Sequence, residues 1–145
     1  MKKDVIMTIS GLYQTEDNDD SLVLTTRAEY VFRGAKQTLR YQESEITGYA
    51  GCETTIEADG SRQVTITRRG REGATCLCLE NGRRHQCLYE TPFGALNLGV
   101  YTDRIDSSLG EYGGELSFHY LLDVNGTSTT ENNVRVSVKE YQANE

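Results

Sequence analysis

Polar and apolar residues alternate through most of this chain, in short stretches separated by Gly, Asn and Asp. Nowhere do apolar residues sustain the i, i+3, i+4, i+7 spacing of an amphipathic helix. A period of two predicts an almost entirely β protein, with strands over 4–13, 21–33, 36–47, 52–58, 62–69, 74–80, 83–89, 94–104, 113–124 and 133–141. About ten strands of this length and spacing suit an antiparallel barrel or sandwich.

Tight hairpins favour Gly, Asn-Gly or Asp-Gly, whose backbones accept positive φ. Gly34-Ala35, Asp59-Gly60 and Asn81-Gly82 are therefore predicted as two-residue turns. Asn125-Gly126 fails a register check. A tight turn there would set Phe118 and Tyr120 opposite Asn133 and Glu131, while Val134 and Val136 faced Ser117 and Glu115. A longer or bulged connection is expected across 125–132.

A turn at Gly34-Ala35 places Leu22, Leu24, Thr26, Ala28, Tyr30 and Phe32 on one face with Thr47, Glu45, Glu43, Tyr41, Leu39 and Gln37. This is the more apolar face, so Glu43 and Glu45 point into an apolar space. An unpaired carboxylate there costs several kcal/mol or takes up a proton. Val64, Ile66 and Arg68 share one face of a nearby strand, which makes Arg68 the candidate partner. A barrel interior holding Glu43, Glu45 and Arg68, with Tyr30 and Tyr41 as walls, could orient a small polar or amphipathic ligand. The same residues also suit an internal ion-pair network in a barrel that binds nothing.

Other constellations carry less. Glu43 and Glu45 have the ~7 Å spacing of i and i+2 strand side chains, within the range of glycosidase acid and base pairs, but any Glu-x-Glu strand shows it. A hairpin at Asn81-Gly82 would face Cys76 with Cys87 and Cys78 with His85. Cys₃His is a legitimate zinc set, yet a flat patch must pucker to wrap a metal, and small reduced thiols packed on a sheet describe the same residues. His85 is also the base nearest a cysteine nucleophile in this scheme. His119 alternates with Phe118 and Tyr120 and belongs to the opposite, outer or rim face.

Composition narrows the function classes. With 145 residues there is room for one domain, over 1–145. The balance of 22 Asp and Glu against 15 Lys and Arg gives a formal charge of -7, which repels phosphate backbones and disfavours nucleic acid as a partner. No apolar run reaches the ~20 residues of a bilayer span, and Met1-Lys2-Lys3-Asp4 leads into an alternating segment rather than a signal peptide. A cytoplasmic protein without membrane association follows, its four cysteines kept as thiols. CxxC, Walker A, GxGxxG, HExxH and GxSxG patterns are absent, so no cofactor is implied and an enzyme is the lesser expectation. The acidic segment from Glu16 to Asp20 reads as a solvated loop without EF-hand spacing.

Five motifs in order carry a family likeness: Tyr41-x-Glu43-x-Glu45-x-Thr47-Gly48, Thr54-Thr55, Thr67-Arg68-x-Gly70, Tyr89-x-Thr91-Pro92-Phe93-Gly94, and Gly114-Glu115-Leu116-Ser117-Phe118-x-Tyr120. Across nearly its whole length the chain resembles the YwiB-like family, small bacterial proteins of unknown function. The resemblance implies a calycin-type antiparallel barrel of eight to ten strands, related in architecture to lipocalins and fatty-acid-binding proteins. It brings no established catalytic or ligand residues. The segment Gln14 to Asp20 is too short and acidic for the helical lid of a fatty-acid-binding protein. The expectation is a small-ligand-binding barrel. Two alternatives are an interaction module with a filled barrel, docking a partner or a second copy of itself as a homodimer, and an enzyme using the interior carboxylates or the Cys/His hairpin.

Overall fold

The computed structural model describes residues 2–15, 18–43, 50–71, 73–91 and 94–141. Ten strands account for most of them: β1 (Lys2–Gln14), β2 (Asp19–Arg33), β3 (Lys36–Gln42), β4 (Glu53–Asp59), β5 (Gln63–Gly70), β6 (Gly73–Glu80), β7 (Arg83–Thr91), β8 (Gly94–Ser107), β9 (Gly113–Val124) and β10 (Thr127–Glu140). Every ladder is antiparallel, and the strand order is β6-β5-β4-β3-β2-β1-β10-β9-β8-β7. The sheet curls on itself into a nearly closed barrel, which leaves only the β6 and β7 edges to manage.

Those two edges correct one expectation. β6 and β7 follow each other in sequence and meet at Asn81-Gly82, yet they stand at opposite ends of the strand order and form no ladder. Gly82 N–H instead donates to Thr102 O at 2.7 Å, and Asn81 N–H to Arg62 O at 2.9 Å. The hairpin that would oppose Cys76 to Cys87 and Cys78 to His85 does not form, because the barrel places its seam there.

The Asp59-Gly60 turn is also longer than predicted. Asp59 pairs with Gln63, so the loop has three residues, and Arg62 N–H closes it onto Asp59 O. The Gly34-Ala35 turn pairs as predicted, with Tyr30 opposite Leu39 and Phe32 opposite Gln37. That ladder stops at Glu29 and Arg40. The connection across 125–132 is bulged as expected: Asn125-Gly126 forms the turn, both residues at positive φ, and a bulge between Thr127 and Thr130 then moves the register by one. Val134 comes to face Phe118 and Val136 to face Leu116, which satisfies the apolar pairing a plain turn would have broken.

Alternation sorts the sheet's two faces. Val5, Met7, Tyr30, Leu39, Val64, Leu79, Val100, Leu116, Phe118 and Val136 are fully buried inside. Outside, Arg40 reaches Glu29 at 3.6 Å and Glu53 at 3.8 Å, and Lys2 reaches Glu29 at 3.2 Å. No helix of the structure is long and apolar enough to cross a membrane.

Candidate functional site

The β3–β6 ladders stack inward-facing residues in levels. One row runs Gln37, Ala58, Val64, Leu79; the next Leu39, Ile56, Ile66, Leu77; the third Tyr41, Thr54, Arg68, Thr75. The barrel is packed at the level of the first row and hollow towards the third. A cavity of about 500 Å³ occupies that half, on the side of the β1–β2, β3–β4 and β5–β6 connections. Its walls are mainly aliphatic, from Ile9, Leu22, Leu24, Ile56, Ile66, Leu77, Leu96, Leu98, Leu122, Val134 and Val136. Phe118 and Tyr120 add a stacked pair, with centroids 6.1 Å apart.

Polar groups gather at one corner. The Glu43 N–H donates to Cys52 O at 2.9 Å, which prolongs the pairing past the end of β3 and keeps the Glu43 side chain turned inward. That side chain is 1% accessible; Arg68 Nη2 lies 3.4 Å from its Oε2, and Thr54 Oγ1 donates to the same oxygen at 2.5 Å. Burial pushes the Tyr41 phenol well above its ordinary pKa, helped by the charge and hydrogen bond of Glu43 and opposed by Arg68 and Thr54. Burial likewise raises Tyr13, where Arg68 pulls down and Asp20 up. Both phenols stay neutral at physiological pH and serve as hydrogen-bonding groups.

Glu43, Arg68 and Tyr41 are thus brought together as the alternation predicts. Glu45 lies outside the described residues, so the carboxylate pair with Glu43 is not placed. Tyr30 sits elsewhere: it shares the inner face of β2 with Leu24, but six residues further along the strand, in the packed half. Its hydroxyl donates to Gly110 O at 2.8 Å, and burial pushes its pKa up to about 12. It is a core residue rather than a cavity wall.

Sequence reasoning missed Tyr13, Thr54, Thr75 and Asn132. Tyr13 was legible in principle, since Ile9, Gly11 and Tyr13 share the inner face of β1, and Gly11 leaves the space its ring occupies. Asn132 enters the interior only because the β10 bulge turns it there; its Nδ2 donates to Thr130 O at 3.1 Å.

Cys76, Cys78 and Cys87 meet across the seam without the predicted hairpin pairing. Cys76 is exposed, and Cys78 Sγ accepts from Gln63 Nε2 at 3.3 Å. Cys87 is buried, which pushes its thiol pKa up against the hydrogen bond of the Cys78 backbone. His85 Nε2 lies 2.9 Å from Glu80 Oε1, and that bond holds the Glu80 carboxyl below its usual range. Among the described residues, no group of three His, Cys, Asp or Glu side chains is arranged to hold a metal. His119 is on the outer face as expected, held between Asp103 (2.5 Å from Nδ1) and Glu131 (2.7 Å from Nε2).

Comparison with known proteins bears on the fold. The family model described as "Domain of unknown function (DUF1934)" matches residues 7–136, from β1 to β10. The crystal structure of the YwiB protein from Bacillus subtilis superposes with a TM-score of 0.82, covering 97% of this chain and 94% of that one at 20% identity. No curated protein matches.

Proposed function

This chain belongs to the DUF1934 family, a domain of unknown function, and we propose that its barrel binds one small amphipathic molecule in the hollow half of its interior. The observation that carries this reading is a cavity of about 500 Å³ with aliphatic walls and a polar corner made by Glu43, Arg68, Tyr41 and Thr54. A mostly apolar pocket with a few convergent polar groups is the usual form of a small-molecule site. An interior evolved only for stability would be filled, as the level of Leu79 and Val64 is.

In this reading the whole chain works as one barrel domain, in a bacterial cytoplasm. Four free thiols support a reducing compartment. Charged pairs on the outer face and apolar residues inside are the reverse of a lipid-facing barrel. The test is native mass spectrometry of the protein purified from its own host. A stoichiometric organic mass that is lost on denaturation supports the reading. A bare protein mass, together with no uptake of the neutral fluorophore N-phenyl-1-naphthylamine, overturns it.

A further inference from the structure

The chemistry of the corner limits what the cavity accepts. Among the described residues that line it, Glu43 and Arg68 carry charge, one of each sign. They are already committed to each other: Arg68 Nη2 is 3.4 Å from Glu43 Oε2, and Thr54 donates to that same oxygen. The Glu43 side chain is 1% accessible and the Arg68 side chain 24%, so water screens this pair weakly. The other polar side chains of the cavity, among the described residues, are the hydroxyls of Tyr41, Tyr13, Tyr120 and Thr75 and the amide of Asn132, which are neutral and able to donate and accept.

A ligand carboxylate brought to Arg68 would enter beside the Glu43 carboxylate on the same guanidinium. A ligand ammonium brought to Glu43 would enter beside Arg68. Either adds a net charge to a partly hydrated space in which the charges of the described residues cancel, and an uncompensated buried charge is disfavoured. A neutral head group meets no such penalty and can use the corner's donors and acceptors together.

We infer that the cavity selects an electrically neutral amphipath, an apolar body ending in an amide or alcohol, over fatty-acid anions and alkyl cations. This rests on the proposed ligand-binding role of the same cavity and sharpens it to a ligand class.

The test uses the full chain loaded with N-phenyl-1-naphthylamine and competes the probe at neutral pH with decanamide, decanoate and decylammonium. Decanamide is expected to displace the probe at roughly tenfold lower concentration than either ion, the order of cost of one uncompensated charge in a partly wetted site. Glu43→Gln leaves Arg68 without its counter-charge and is expected to improve decanoate relative to decanamide about tenfold on the same variant. Arg68→Gln reverses the sign and favours decylammonium. Decanoate or decylammonium matching decanamide on the parent protein overturns the neutral-ligand inference while leaving the pocket intact. Failure of the probe to bind at all overturns the pocket and the inference with it. The parent comparison decides the matter even where a variant does not fold.

Discussion

The Tyr13 ring lies back over Gly11, so closely that a methyl group added at residue 11 would stand 2.5 Å from the Tyr13 hydroxyl oxygen and 2.8 Å from the ring carbon that bears it. Both residues face into the barrel from β1, and the missing side chain of one is the space that holds the other against the cavity. Gly11→Ala is expected to swing the Tyr13 ring away, since a side chain yields more cheaply than the backbone. The cost in stability should stay below about 1 kcal/mol, because Ala also reduces the freedom of the unfolded chain. Burial is what raises the Tyr13 pKa, so the variant should return it towards the ordinary tyrosine value. Carbon-13 NMR of the tyrosine ring carbons reads this directly, and an unchanged Tyr13 titration would show that the ring does not depend on Gly11.

Removing one member of the interior ion pair should be costly, and removing both less so. Arg68→Ala strands a Glu43 carboxylate that is 1% accessible, for a loss of about 2–4 kcal/mol, at the lower part of the range for buried pairs because Arg68 itself is 24% accessible. Glu43→Gln combined with Arg68→Met leaves no charge behind and should recover at least about half of that loss. Urea denaturation of the two variants measures the difference. A double variant no more stable than Arg68→Ala would mean that Arg68 contributes packing rather than charge.

How far these residues were legible in the sequence follows from what alternation does and does not encode. A period of two assigns a face, and so Glu43, Tyr41 and Arg68 were read correctly as interior. It does not assign depth along the barrel. Tyr30 has the right parity and sits in the packed half, hydrogen-bonded to Gly110. The β9–β10 register was recoverable because a wrong pairing of Phe118 would have buried Asn133, a penalty visible from the residues alone. The Cys/His hairpin was misread for the opposite reason. Asn81-Gly82 has the chemistry of a tight turn whether its strands pair or part, and only closure of the whole sheet decides that β6 and β7 form the seam.

His119 gives the protein a pH dependence of predictable sign. Burial disfavours its charged form, but the hydrogen bonds and charges of Asp103 and Glu131 outweigh that and raise its pKa above the ordinary histidine value of 6.5. A raised folded-state pKa means that the imidazolium contributes stability fully below the unfolded value, and that the contribution fades as pH rises through the folded value. Stability should therefore decline from about pH 6.5 upward. His119→Gln should flatten that slope and cost on the order of 1 kcal/mol at pH 6, since both carboxylates are half exposed. Thermal or urea unfolding across pH 5.5 to 8.5 checks both, and a parent slope that survives the substitution would assign the dependence to another group.

The seam makes the thiols unequal. Cys76 is exposed, whereas Cys87 is buried, with its pKa raised by that burial. The thiolate is the reactive form, so Cys87 is doubly protected. Under iodoacetamide at neutral pH, Cys76 is expected to alkylate at least about tenfold faster than Cys87, as followed by peptide mass spectrometry. Comparable rates would mean that β6 and β7 separate readily and that the barrel opens at its seam.

Leu77 and Leu79 offer the sharpest distinction between a hollow barrel and a filled one. They lie on the same face of β6, two residues apart, opposite Ile66 and Val64 respectively. Leu77 borders the cavity, and Leu79 is fully buried in the packed half. Tryptophan at either position adds the same atoms to the same strand, so propensity and edge effects cancel in the comparison. In the packed half those atoms have nowhere to go. Leu79→Trp should force neighbours off their rotamers and cost about 1–3 kcal/mol or more. At the cavity the indole can enter existing space, replacing water or void with contacts, and Leu77→Trp should change stability by less than about 1 kcal/mol in either direction. The indole would then occupy volume a ligand needs, so Leu77→Trp should also weaken uptake of N-phenyl-1-naphthylamine. Chemical denaturation and a probe titration on both variants test the pair. Equal destabilisation would mean that the barrel is packed along its whole length, which would remove the physical basis for a ligand in its interior.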